Sequence, residues 1–426
     1  MLGIDAITTP LLQRSGLGPV LTDDVAALEQ QASRFARTQM RPAGQRLDRL
    51  SATKVIAPGS PLFDYLAAVE SSGLFDISAL MTLDAAAQAT LLPVLSEELG
   101  WGDVGLALLS LVGAFPAFMA MMTGDPELIQ RFGPLRGCWV GAQPDRGSDL
   151  LDINGTEHYP AATRQSGNLI AHFDGDDIIL NGQSAAWISG APIAESGVIY
   201  AACKGGNGIY DTEGHLNMAA ILVPFDEPGV SKGLPLDKFG QRPLPQGEIF
   251  FDSVRLPARY AFAVGEPARL SLYGSVTYAN MHMAMLFAGV ARATFEHVLR
   301  YVHERRQGGV PLIKHQHVRA RVFALWQKLE AARAMVTRVV EFNFSSGGPH
   351  GLSSLNGKTF VTRAAFEIAT EATALFGGNG LTREYPIEKL LRDTQTALIQ
   401  DGENNMLGLI GGGWLNRWYE ELQPYG

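Results

Sequence analysis

The sequence predicts an α+β chain in three parts: an N-terminal helical domain over residues 1–135, a middle antiparallel β domain over 136–265 and a C-terminal helical bundle over 266–426. Three observations predict this. Apolar residues recur at helical spacing in the first third. From Trp139 to Val264, glycine, proline and β-branched residues become frequent, and short apolar runs alternate with turn-rich pieces. Beyond that, Val318, Val322, Leu325, Leu329, Ala332, Val336 and Val339 form one stripe with steps of 4, 3, 4, 3, 4 and 3 residues, the pattern of a helix burying one face in a bundle.

In the first part, Val25, Leu28, Ala32 and Phe35 predict a helix, and "DPELIQRF" (Asp125–Phe132) reads as a helix with its cap and a proline at the first position. Val104–Met122 is 19 residues long without a charge, which meets the length criterion for a membrane span. Gly105, Gly113 and Pro116 interrupt it and no Lys or Arg flanks it, so a buried core helix is the expectation. In the second part the strands are expected at "IIL" (Ile178–Leu180), "GVIYAAC" (Gly197–Cys203), "MAAILVPF" (Met218–Phe225) and "EIFFDSVRL" (Glu248–Leu256). Turns between them are expected at "FDGDD", "KGGNG" and "DEPG".

Composition narrows the function classes. The 426 residues are 46% hydrophobic and 18% charged, which supports two or three cored domains. A net charge of -9 and the lack of a basic run argue against nucleic acid as a partner. Cys138 and Cys203 have no metal-ligand spacing and make no disulfide framework, so a reducing cytoplasm is the simplest location. Met1–Gly16 has no basic start followed by an apolar run, so no signal peptide is expected. His315 and His317 stand two apart, pointing to different helix faces, so no metal is expected there. No nucleophile-elbow pattern is present.

Five short stretches can carry chemistry. "GAQPDRGSDLL" (Gly141–Leu151) offers backbone N–H groups and Ser148 on a loop. "AAWISG" (Ala185–Gly190) sets the flat Trp187 beside Ser189. "YVHERRQGG" (Tyr301–Gly309) places Arg305 and Arg306 at a helix end, where either can reach a phosphate. "LFGGNGLTREYP" (Leu375–Pro386) has paired glycines that admit a ligand or cap a helix. "ALIQDGENN" (Ala397–Asn405) holds Asp401 before a glycine, as either a general base or a solvated loop acid. Taken singly, each of the first four is more often a turn, a core residue, a surface charge or a helix cap.

Their order is far more specific. "QPDRGSD", "LNGQSAAWISG", "KFGQRPLPQGEIFFDSVRLP", "YVHERRQGG" and "LFGGNGLTREYPIEKLLRD" together make the chain resemble the acyl-CoA dehydrogenase family of flavoproteins over most of its length. The resemblance implies an N-terminal helical domain, a β-barrel-like middle domain and a C-terminal four-helix bundle. It implies FAD between the last two, with part of its site supplied by a neighbouring subunit. Trp187 and Ser189 would contact the isoalloxazine. Arg305, Gln316 and Gly377–Gly378 would hold the pyrophosphate and adenosine side, and Asn405 also falls among the cofactor-binding positions. Ser148 would lie near the acyl thioester. A carboxylate would take the α-proton while the β-hydride goes to flavin N5.

The base position of the family, usually glutamate, is Asp401 here, and the alternative position on the long helix is Ala279. Other departures are Asn280 for an arginine, Ala142 for threonine, Gly308 for phenylalanine and Ala374 for glutamine; small Ala142 and Gly308 suggest a bulky or branched acyl group. Three readings follow: a dehydrogenase of an acyl-CoA or carrier-protein thioester with Asp401 as base, a non-catalytic or FAD-sharing partner in a mixed oligomer, and a nitroalkane-oxidase-like enzyme. Gly408, where that last relative has an arginine, counts against it. The expected partners are an electron-transfer flavoprotein and a homotetramer or mixed oligomer, with no membrane.

Overall fold

The computed structural model describes residues 21–422 except 76–79, 81, 153–165, 205–207, 213 and 349. The segment read for a signal peptide and the middle of "KGGNG" lie outside the described residues. Helices come first: α1 (Asp23–Phe35), α2 (Arg41–Leu47), α3 (Pro61–Ser72), α4 (Ala85–Gly102), α5 (Val104–Gly113), α6 (Phe115–Thr123) and α7 (Pro126–Phe132). Ala32 and Phe35 are buried in α1, and Asp125 caps α7 by accepting from Glu127 N and Leu128 N. The uncharged segment is two helices rather than one. Pro116 has no N–H for the helical ladder and its ring clashes with the preceding turn, so α5 stops and α6 restarts at Phe115. Val104–Thr123 is long and apolar enough to cross a membrane by composition, yet 50% of that window is buried inside the protein.

The strands follow: β1 (Gly137–Val140), β2 (Ile170–Asp174), β3 (Asp177–Gln183), β4 (Ile188–Ser189), β5 (Ser196–Lys204), β6 (Met218–Pro224), β7 (Val230–Lys232), β8 (Gln246–Gly247), β9 (Ile249–Pro257) and β10 (Ala261–Val264). Each of the four apolar runs is a strand or part of one. Among the described residues eight of these strands form one sheet, in the order β10-β6-β5-β2-β3-β9-β7 with β1 against β5. The sheet is mixed, not antiparallel throughout, because β1 and β2 both run parallel to β5. Alternation along β5 divides the core. Ile199 and Ala201 join the interior of the β layer, whereas Val198 and Tyr200 meet Leu128 and Phe132 of α7.

The chain then returns to helix: α8 (Glu266–Glu304), α9 (Gln316–Ser345), α10 (Gly351–Phe376), α11 (Ile387–Ala397) and α12 (Asn404–Leu422). All seven residues of the predicted stripe are buried on α9, the valines and leucines each contributing about 1.5–3 kcal/mol relative to exposure. Buried charges join the ends of the chain. Arg392 grips Asp48 bidentately at 2.6 and 2.9 Å, and Lys389 donates to Asp103 at 2.8 Å and Asp393 at 2.6 Å. Burial opposes the charge on Lys389, but Asp103 and Asp393 outweigh it and hold the ammonium protonated.

Candidate active site

Asp401 lies in the turn between α11 and α12. It adopts a left-handed backbone with φ 53, and Gly402 follows with φ 100. Such a pair of angles favours glycine at the second position, and packing adds a reason. A Cβ on Gly402 would lie 2.6 Å from Leu151 Cδ1 and 2.8 Å from Leu407 Cδ2. Glu403 is spent on structure: its carboxylate accepts from Asn405 N at 2.9 Å, Asn405 Nδ2 at 2.9 Å and Met406 N at 3.1 Å, capping α12. Asp401 is no solvated loop acid. It is partly buried, and burial raises its pKa while Lys358 pulls it the other way.

Four side chains from three distant elements hold this turn. Ser148, on the short 3-10 turn Ser148–Leu151, accepts from Glu403 N at 3.0 Å. Asn280 on α8 donates to Asp401 O at 3.3 Å. Lys358 on α10 donates to Gly402 O at 2.5 Å and Asn404 Oδ1 at 2.7 Å. Thr362, one turn further along α10, accepts from Asn404 Nδ2 at 3.1 Å. Ser148 and the turn that carries Asp401 are thus brought together, whereas Lys358 and Thr362 are not among the residues the motifs single out. The signal for Lys358 was available. It falls in phase with Leu355, Thr362 and Ala365, all buried on α10, and a lone cation on an apolar helix face needs a partner.

Beside the turn lies a pocket with about 380 Å³ of empty space, including its open mouth. Leu151, Asn280 and Leu407 belong both to its wall and to the surroundings of Asp401–Gly402. The rest of the wall is apolar or neutral, with Tyr273 and Trp414 packed edge to face at 5.9 Å. Neither Ala142 nor Gly308 lines it. Ala142 packs against the β core, and Gly308 lies in the turn after α8 beside His315. The space in this pocket is therefore shaped by other residues than those two. Asn280 is only 2% exposed and its Oδ1 has no partner among the described residues, which leaves an acceptor on the pocket wall.

Most of the remaining predicted positions fall into two groups, with Gln316 and Asn405 outside them. Trp187 is 63% exposed, unusual for an indole, and its carbonyl accepts from Gln246 Nε2 at 2.9 Å. The same Nε2 donates to Ser189 Oγ at 3.1 Å, and Gln246 Oε1 accepts from Lys238 Nζ at 2.7 Å. Burial pulls Lys238 down to about 7. Gln246 and Lys238 are organising residues that the motifs did not single out. The second cluster joins the end of α8 to the end of α10. Arg305 caps α8 through Tyr301 O at 2.8 Å, and Tyr301 stacks on Phe376 at 3.9 Å while its hydroxyl accepts from Asn379 Nδ2 at 3.0 Å. Arg305 thus follows, and Gly377 and Gly378 likewise follow, residues that pack on one another; both glycines are exposed, with nothing within 4 Å of where their Cβ atoms would be. Gln316 is exposed at the first residue of α9, and Asn405 is exposed on α12. Among the described residues no hydrogen bond joins Trp187 or Ser189 to Arg305, Gln316 or the Gly377–Gly378 turn.

Comparison with known proteins places this architecture. The family models for the acyl-CoA dehydrogenase middle domain and C-terminal domain match residues 138–254 and 273–415. Benzylmalonyl-CoA dehydrogenase of Aromatoleum aromaticum is 28% identical over 404 residues, covering 92% of this chain and 97% of that protein. Cyclohexane-1-carbonyl-CoA dehydrogenase of Geobacter metallireducens is 26% identical over 76% of this chain and 80% of its own length. Among solved structures, butyryl-CoA dehydrogenase from Megasphaera elsdenii shares the fold with a TM-score of 0.77 at 22% identity, covering 94% of this chain and 100% of that one. A glutaryl-CoA dehydrogenase from Mycobacterium smegmatis in complex with FADH2 does so with a TM-score of 0.71 at 22% identity, covering 93% and 95%. Helical, mixed-sheet and helical domains in this order, matched along both the middle and the C-terminal models, make this chain a member of the acyl-CoA dehydrogenase family, flavoprotein oxidoreductases that act on CH–CH bonds.

Proposed function

We propose that this chain dehydrogenates an acyl-CoA thioester between its α and β carbons, with Asp401 as the base for the α-proton and FAD as its cofactor. The observation that carries the reading is Asp401 itself: a partly buried carboxylate in a left-handed turn, anchored by Ser148, Asn280 and Lys358 beside an apolar pocket. Burial raises its proton affinity, and a bound acyl group would exclude more water and raise it further. Aspartate is one methylene shorter than glutamate, so the α-carbon must sit closer to the turn.

The residues present fit FAD. An exposed indole at Trp187 beside the Ser189 hydroxyl offers a flat apolar face with a hydrogen-bonding edge, and Gln246 fixes both. Arg305, Gln316, Asn405 and the open Gly377–Gly378 turn would hold its polar remainder. Bound there, FAD supplies the oxidant that takes up the β-hydrogen with its electron pair. Gln246 keeps the indole and hydroxyl in place, and the anchors of the turn keep Asp401 in place.

For the substrate, the wall of the pocket carries, among the described residues, no charged side chain and two aromatic rings. This favours a neutral ring-bearing or branched acyl group over one with a second carboxylate, which would need a cation. The same reading takes a cytoplasmic homotetramer and a separate electron-transfer flavoprotein as acceptor. The test is the visible spectrum of the purified chain and its anaerobic titration with acyl-CoAs. Bleaching of a bound flavin by cyclohexanecarbonyl-CoA or a branched acyl-CoA supports the proposal. A colourless protein, or one that no thioester bleaches, would favour the partner-subunit reading instead.

A further inference from the structure

We infer that Lys358 is the counter-ion of Asp401: its ammonium fixes the turn through Gly402 and Asn404 and keeps the Asp401 carboxylate in its ionised, proton-accepting form. This is a positioning and electrostatic role, and it rests on the reading of Asp401 as the base.

Geometry carries the inference. Lys358 is 0% exposed, so its charge has no water to answer to. Two of its three N–H groups go to neutral acceptors, Gly402 O at 2.5 Å and Asn404 Oδ1 at 2.7 Å, one and three residues after Asp401. Among the described residues no carboxylate pairs with it directly and no hydrogen bond reaches the Asp401 carboxylate. The Glu403 carboxylate is already taken up by α12, so among the described residues the buried ammonium and the half-buried Asp401 carboxylate are left to compensate each other across the turn.

Among the described residues the surroundings bring no competitor. From α8 come Asn280 and Thr277, both neutral. Asp149, on the short 3-10 turn, is engaged by Gly147 N at 2.7 Å and Arg146 at 3.9 Å. The Glu403 carboxylate is held by α12. The charge effects agree. Lys358 is lowered to about 8 by burial and raised in turn by Asp401 and Glu403, while Lys358 is the charge that opposes the upward pull of burial on Asp401.

The alternative is a lysine that merely staples the turn, and the two roles separate in a titration. The probe is the infrared carbonyl band of the protonated Asp401 carboxyl in the FAD-loaded full chain, assigned as the band lost in Asp401→Asn, followed against pH. Lys358→Gln keeps a donor and removes the charge, and its midpoint is expected to move upward. In parallel, anaerobic flavin reduction at about pH 6 is expected to fall by about tenfold or more, recovering as pH rises. Thr362→Val loosens Asn404 without changing charge and is expected to leave the midpoint in place, and Lys358→Arg to restore it. An unmoved midpoint in Lys358→Gln overturns the inference. If that variant does not fold, the wild type decides: an Asp401 carboxyl still protonated at neutral pH overturns it equally. Undiminished flavin reduction in Asp401→Asn would instead remove Asp401 as base, an outcome separate from the infrared midpoint.

Discussion

Glu403 N donates to Ser148 Oγ at 3.0 Å, tying together two segments 255 residues apart. The bond joins the loop after β1 to the turn that carries Asp401, and so couples the middle domain to the proposed base. Ser148→Ala is expected to cost about 0.5–1.5 kcal/mol of stability and to slow anaerobic flavin reduction by about tenfold to a hundredfold through misplacement of the turn. Stopped-flow absorbance and a denaturant titration check both.

Asp401→Asn should retain FAD and lose flavin reduction by about a hundredfold or more, the usual contribution of a general base. It should also change stability with a definite sign. Burial sets the pKa of Asp401 above its ordinary 3.8 in the folded chain. The ionised acid therefore destabilises the fold above that raised pKa, and the cost disappears as pH falls below the ordinary value. The asparagine variant is expected to unfold at a higher temperature than wild type near neutral pH and to lose that advantage in acid. Calorimetry across pH measures it.

Gly351 opens the pocket. A Cβ there would lie 1.9 Å from Tyr273 Oη and 2.9 Å from Trp414 Cη2. Gly351→Ala must displace the aromatic pair, so it is expected to raise KM for a ring-bearing acyl-CoA by about tenfold while leaving the flavin content unchanged. Steady-state kinetics with a linear and a cyclic substrate separate a change in pocket shape from a general loss.

Gln246 holds the carbonyl of Trp187 and the hydroxyl of Ser189 with one amide nitrogen. Gln246→Leu frees both and leaves buried Lys238 short of an acceptor. FAD retention is expected to weaken by about tenfold, read from flavin loss on dilution and gel filtration.

Lys389 stands between Asp103 and Asp393 in the interior. Lys389→Met leaves two buried carboxylates without their cation, and a loss of about 3–5 kcal/mol is expected. The shift of the urea midpoint tests it.

Much of the architecture is local and hence readable. The stripe from Val318 to Val339 is buried residue for residue because helical spacing alone sets which side chains share a face. Asp125 caps α7 because the acceptor and its donors are two and three residues apart. The alternation within β5 likewise sorts its side chains between two cores. Strand partners are another matter. Nothing in β1 or β2 announces a parallel pairing with β5, since register between distant segments depends on how the chain crosses over.

The same division runs through the site. By itself the sequence determined the residue types, the order of the motifs and an acid before glycine at position 401, because these are written in contiguous stretches. Only the tertiary structure decided whether that acid is solvated. Lys358 lies 44 residues before Gly402 and Asn280 lies 121 residues before Asp401, yet both hold the turn. It also decided that the pocket is shaped by Tyr273, Trp414 and Gly351 rather than by Ala142 and Gly308. Burial and electrostatic pairing are sums over neighbours in space, and those neighbours exist only once α8, α10 and α12 have packed.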